Sequence, residues 1–216
     1  ERQAIQCMMQ NVTQKLALSE RLPVVKSEQT QILTSRAYTA QQVEMIAASQ
    51  TEKNALSTQL AYAAGLRAHE LLTIARPTEQ PTDPRPAMDS KFSGREGIIY
   101  TVTGKGGLTR DVYFPAALAV QLESRRLTMP RIAEDRGVYY QQRYDLNGGN
   151  RWSSSFSTAS QRTLGWSSGA HGVRHSYAQE RMSELQKSGM TRDAALETVS
   201  QEMGHFRPEI TETYLR

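Results

Sequence analysis

The sequence predicts a mainly α-helical protein with one small antiparallel β-sheet, an α+β fold. Three observations carry this. Apolar residues recur at intervals of four and seven in segments opened by capping residues, as on Leu56, Leu60, Ala64 and Leu71. Two β-prone runs, Gly97–Thr103 and Thr109–Phe114, flank the glycine-rich turn Gly104-Lys105-Gly106-Gly107. There is no internal repeat and no low-complexity tract, which leaves helices packed around a small sheet.

In chain order, Ile5, Met8, Met9, Val12, Leu16 and Leu18 give residues 1–20 roughly helical spacing. Pro23 interrupts, and 23–35 reads as a linker, so 1–34 is expected to stand apart from a main domain over 35–216. Thr39 opens a helix over Ala40–Ala48, and Thr51 can cap another from Glu52 to about Ala75, which would carry Arg67. Prolines 77, 81, 84 and 86 make 76–88 a loop. After the hairpin, Pro115 suits the first turn of a helix reaching about Leu127. Residues 131–144 can be helical, and Asn147–Asn150 reads as a turn. From Ser153 the chain reads as helical, with breaks at Gly165–Gly169, Ser188-Gly189 and Gly204–Pro208. Thr191 caps the helix over 194–203, and Pro208 starts a last helix containing Tyr214.

Composition narrows the function classes. With 38% hydrophobic and 22% charged residues in 216, the chain is expected to be globular rather than disordered. The net charge of +4 and a pI near 9.3 favour an anionic partner only mildly. A lone cysteine, Cys7, forms no internal disulfide and suggests a reducing, intracellular setting. No apolar run approaches the ~20 residues of a membrane span. The first residue is Glu rather than Met, so a fragment of a longer protein is expected.

Chemistry concentrates in a few residues. Breaking a phosphodiester without a metal needs fixed positive charge for the phosphate oxygens, and Arg67 and Arg174 are candidates because guanidinium stays charged and grips two oxygens. Covalent chemistry needs a nucleophile, and Tyr214 can serve where a base or a positive field assists it. His171 precedes Arg174 by three positions, placing both on one face near a helix N-terminus. His205 precedes Tyr214 by nine, and the two are expected on the last two helices. A phosphotyrosine ester keeps the energy of the broken bond, so rejoining needs no ATP. Lys105, at a flexible glycine-rich tip, can protonate a leaving oxygen, although the turn is not a nucleotide-binding loop. His171 and His175, spaced i and i+4, have no carboxylate between them and no third ligand in register, so no metal site is expected.

Taken together, Ala64–Leu71, the Lys105 hairpin, His171-Gly172-Val173-Arg174-His175, Met203-Gly204-His205 and Tyr214 resemble the catalytic domain of tyrosine recombinases, the phage-integrase family. The resemblance covers about residues 35–216. It implies the family fold, and DNA cleavage and rejoining through a 3′-phosphotyrosyl intermediate with a free 5′-hydroxyl. Arg67 and Arg174 would hold the scissile phosphate, Lys105 protonate the 5′-oxygen, His171 assist proton transfer, His205 bind the phosphate and Tyr214 attack. Glu70 would brace the site. No metal or cofactor is implied.

The implied partner is double-stranded DNA with inverted-repeat core sites, on which full-length protomers assemble as a tetramer within the bacterial cytoplasm, at the nucleoid. Arg110, Arg162 and Arg207 are further candidates for the DNA backbone. Departures from the family pattern are Ala170, Gly172, Val173 and Met203, which lean toward a mobile-element integrase. The family's N-terminal domain would survive at most in residues 1–25, and only Leu215 and Arg216 follow the tyrosine. Two other readings are DNA relaxation of the type IB topoisomerase kind, and a DNA-binding relative without catalysis. All of this requires six side chains spread along the chain to converge on one phosphate.

Overall fold

A computed structural model describes residues 2–22, 35–85 and 87–215. The chain divides into two units, 1–33 and 34–216. In the first, helix α1 spans Arg2–Asn11, shorter than the expected 1–20. The Gln10 amide stops it by turning to the carbonyls of Ala17, Leu18 and Glu20, which folds the following residues back as a loop. The expected linker lies, over 23–34, outside the described residues.

The second unit begins with α2 (Ala40–Ala48), opened by Thr39 and Gln42 in a reciprocal capping box. Helix α3 runs Glu52–Ala64. Thr51 precedes it without a side-chain cap, its hydroxyl accepting from the Asn54 side chain instead at 3.2 Å. The expectation that this helix continues to Ala75 is corrected: Gly65 takes the left-handed conformation at φ 57° and ends it. The Tyr177 ring approaches so closely that a Cβ at Gly65 would lie 2.8 Å from it. Arg67 therefore stands in a turn, followed by a 3₁₀ turn over Glu70–Leu72, and Ala75 bridges Thr101.

The predicted hairpin forms. Strands β1 (Ile98–Thr103) and β2 (Thr109–Phe114) pair antiparallel, with Ile98 opposite Phe114 and Thr103 opposite Thr109. Gly107 at φ 82° makes the tight turn that carries Lys105. Helix α4 follows over Ala116–Ser124.

Residues expected to be helical at 131–144 instead form a second hairpin, β3 (Arg126–Asp135) with β4 (Val138–Tyr144). Two local features favour strand. Pro130 lacks the N–H a helix needs, and it falls in the register shift between Arg126 and Arg131, where a missing ladder donor is tolerated. Arg136 and Gly137 both have positive φ, 53° and 75°, the signature of a tight hairpin turn. The Asp135 carboxylate then accepts from Asn150 N–H at 2.7 Å, so α5 starts at Gly149 rather than Ser153 and runs to Leu164.

Helix α6 spans Gly172–Lys187 and α7 Arg192–Glu202, the latter capped by Thr191 as expected. The final segment is one α-turn, α8 (Pro208–Thr211), continued by a 3₁₀ turn over Glu212–Tyr214, rather than a full helix. Two apolar clusters hold the unit. One packs Ile46, Leu60, Val102, Phe114, Trp152 and Phe156. The other joins α6 and α7 through Tyr177, Met182, Leu185, Val199 and Met203, and Tyr214 and Leu215 rest against it.

Candidate active site

The foundation of the site is a buried carboxylate. Glu70 is fully enclosed, and a bare charge there would be strongly disfavoured. Burial pushes its pKa up, but Arg110, Arg174 and Arg67 outweigh that and hold it at about 2. Its oxygens accept from Arg67 Nη1 at 2.8 Å, from Arg67 N–H at 2.8 Å and from Arg110 Nη2 at 2.9 Å, while Arg174 Nη1 stands 3.9 Å away. One anion thus gathers three guanidiniums that would otherwise repel each other.

Arg174, on the first turn of α6, is wholly buried. It donates to the Gly65 carbonyl, to Met203 O at 3.1 Å and to His205 Nε2 at 2.8 Å. Burial, then Arg67, lowers its pKa to about 10, so it stays charged at neutral pH. Arg110, offered above as a DNA-backbone contact, is 3% exposed: its guanidinium is committed to Glu70 and to Glu202 O at 2.7 Å. That correction makes it a brace, which no local sequence pattern distinguishes from a surface arginine on a strand.

His205 lies in the turn between α7 and α8 rather than on a helix. Gly204, at φ 71°, lets this turn approach Arg110, whose Cδ would be 2.5 Å from an added Cβ. Since guanidinium only donates, His205 Nε2 is the acceptor from Arg174, leaving Nδ1–H to donate to Thr211 Oγ1 at 3.0 Å. Burial and then Arg174 push its pKa down to about 3.

His171 sits at the N-cap of α6 with an open edge, yet its ring packs against those of His175 and Tyr214. That crowding, followed by the Arg174 charge, lowers its pKa to about 4, so it is neutral at pH 7 and Nε2 can accept. The Tyr214 hydroxyl lies 3.1 Å from that nitrogen. The phenol ring is 5.1 Å from the His205 ring at 27°, and the Arg174 guanidinium lies beneath it, 5.4 Å from its centre.

Arg67, Glu70, Arg174, His171, His205 and Tyr214 are thus linked by direct contacts. Lys105 is exposed at the hairpin tip and lines a cleft of about 250 Å³ with Arg67, Glu70, Gly104 and Gly204, its ammonium unpaired among the described residues. Arg162 is exposed and donates to Ser49 O, and Arg207 is exposed at the start of α8.

Glu202 and Arg181 escaped sequence reasoning. Both are buried and ion-paired at 3.0 Å, and Glu202 also accepts from Tyr177 Oη and Phe92 N–H, each at 2.8 Å. They anchor the end of α7 that delivers Met203 O and His205 to Arg174. A carboxylate in the last turn of a helix opposes the helix dipole, and this is the signal that Glu202 needs special partners.

Comparison with solved structures gives the same fold. The chain resembles the XerH site-specific recombinase in a post-cleavage complex with palindromic difH substrate, at 18% identity and TM-score 0.50, over 84% of this chain and 49% of that one. It resembles the Tn1549 transposon integrase in complex with a circular intermediate DNA at 14% identity and TM-score 0.50, over 86% and 62%. XerA recombinase aligns at 15% identity and TM-score 0.52, over 99% and 76%. The chain spans about half the length of XerH. No family profile matches the chain, and no curated protein sequence does either. The chain has the tyrosine recombinase catalytic-domain fold.

Proposed function

We propose that the protein cleaves and rejoins DNA strands as a site-specific recombinase, through a 3′-phosphotyrosyl intermediate. The observation that carries this reading is the placement of Tyr214 Oη, 3.1 Å from a neutral His171 and above the buried Arg174. His171 accepts the phenol proton as the oxygen attacks phosphorus. The Tyr214 O–P bond forms, the P–O5′ bond breaks, and Lys105 gives its proton to the 5′-oxygen. Arg67 and Arg174 stabilise charge on the non-bridging oxygens, and His205 joins them when its Nε2 takes up a proton in the field of the bound phosphate. In rejoining, a 5′-hydroxyl attacks the phosphotyrosine, returning its proton to Lys105 while Tyr214 recovers the one held by His171. Glu70, with Arg110, keeps the guanidiniums in place.

Arg67 is the guanidinium with an open face, its side chain 29% exposed, whereas Arg174 lies under the phenol. The phosphate therefore meets Arg67 first. Residues 35–216 act as the catalytic domain, with 1–34 as an appended helix and linker. The partner is duplex DNA with inverted-repeat core sites bound by several protomers, as a tetramer in the full-length complex, inside the cell at the nucleoid. Integration or excision of a mobile element is the biological role we favour, on the departures from the family pattern at Ala170, Gly172, Val173 and Met203. The experiment is to incubate full-length protein with supercoiled plasmid and with a library of nicked duplexes. Adducts confined to a defined inverted repeat support recombination, and relaxation at any sequence supports a topoisomerase instead.

A further inference from the structure

Helix α6 presents a stripe at four-residue spacing, and the mechanism above uses only its first member. His171 caps the helix, and His175 and Gln179 follow at i+4 and i+8, an interval that stacks side chains along one face. Each meets a different part of Tyr214. His171 Nε2 faces the phenol oxygen at 3.1 Å. The His175 ring is centred 4.8 Å from the phenol ring, nearer than His171 at 5.4 Å or His205 at 5.1 Å. Gln179 Nε2 donates to Tyr214 O at 3.2 Å.

These contacts matter because Tyr214 sits on a short support. One α-turn and a 3₁₀ turn have little stability of their own, so tertiary contacts decide where the phenol points. His175 is 7% exposed and packs against the phenol ring at a tilt of 45°, out of reach of a substrate. Its imidazole also hydrogen-bonds the Tyr214 backbone, a contact that a phenyl ring of the same shape would lack. Holding the oxygen, the ring and the backbone at three levels of one rigid helix fixes both the advance and the rotation of the nucleophile. A displacement of ~1 Å at such a group costs on the order of a hundredfold in rate.

We propose that His175 and Gln179 are positioning residues that hold Tyr214 in line for attack; this rests on the assignment of Tyr214 as the nucleophile. The test uses the full-length protein and a pool of nicked duplexes with randomised cores, from which the wild type selects its covalent substrate. His175→Phe keeps a flat ring and removes both nitrogens, Gln179→Met removes the donor at similar length, and Gln179→Lys restores a donor.

At saturating DNA, His175→Phe and Gln179→Met are expected to form the covalent complex about tenfold more slowly or worse, with DNA affinity within about twofold and an unchanged melting midpoint. Gln179→Lys recovers most of the rate. Hydrogen exchange at residues 211–215 should accelerate in the two impaired variants, a readout that needs no DNA. Wild-type rates with wild-type exchange would overturn the proposal, and so would rate losses matched by equal losses of affinity or fold. If the wild type forms no adduct on any duplex, the nucleophile assignment fails and this inference falls with it. If only the variants behave normally, that assignment stands and the positioning claim alone is lost.

Discussion

Tyr214 and Lys105 are the two residues for which the same site makes opposite demands. Tyr214 is enclosed by three imidazoles and a guanidinium, whereas Lys105 is exposed on a glycine-flanked tip. A leaving-group acid must meet a substrate that arrives from solvent, so exposure before DNA binds suits it. Lys105→Ala is therefore expected to slow strand cleavage by about 10²–10⁴-fold while leaving DNA affinity nearly intact. A 5′-phosphorothiolate duplex, whose sulfur leaves without a proton, should restore the rate; persistence of the defect on that substrate would remove Lys105 from the acid role. Glu70→Gln makes a different prediction. Three guanidiniums would then converge on a neutral amide, and the domain should lose about 3–5 kcal/mol of stability by urea denaturation. A loss below about 1 kcal/mol would mean that the arginines separate freely without their shared anion.

The elements that deliver these residues end where glycines allow it. Gly65 stops α3 in a left-handed turn against the Tyr177 ring, releasing Arg67 into a bend where its backbone N–H and its guanidinium both reach Glu70. Gly65→Ala is expected to cost about 1–3 kcal/mol and to lower cleavage along with stability, measured by denaturation and by adduct yield. The Lys105 hairpin, the Thr39 and Thr191 caps and the helix over 172–187 were legible in the sequence because their signals are local. The end of α3 was not, since the apolar spacing continues through Leu71 and outweighs the lone signal of Gly65, whose left-handed conformation ends the helix. Residues 131–144 were misread for a related reason: the run lacks a clean alternation, and Pro130 with Arg136-Gly137 carries the strand signal. That Arg67, Glu70, His171, Arg174, His205 and Tyr214 converge was expected from their combined spacing. Partnerships such as Arg110 with Glu70, or Glu202 with Arg181, depend on burial, which one-dimensional patterns hide.

Across the whole second unit, the site is built around neutral imidazoles. Burial and neighbouring arginines lower the pKa values of His171 and His205 to about 4 and about 3, and burial lowers those of His69 and His175 too. The unfolded chain titrates these groups near 6.5, so below that pH it binds more protons than the folded protein. The stability they contribute is complete above about pH 6.5 and is lost as pH falls toward 4 and 3, before and during titration of ordinary carboxylates. Calorimetry should show the melting temperature dropping by on the order of 5 °C or more between pH 7 and pH 5. A profile flat over that range would mean that the imidazoles are as free to charge as in the unfolded chain. Bound phosphate reverses the trend locally at His205, where its negative charge favours the imidazolium that can donate to it.

The central claim is that the phenol near the end of the chain becomes covalently joined to DNA within this cluster. Its most direct test is mass spectrometry of the protease-digested adduct trapped on a nicked duplex. A nucleotide joined through its 3′-phosphate to Tyr214, with a free 5′-hydroxyl on the released strand and no adduct from Tyr214→Phe, is the predicted result. Attachment at any other residue, or a 5′-phosphate on the released strand, would contradict it.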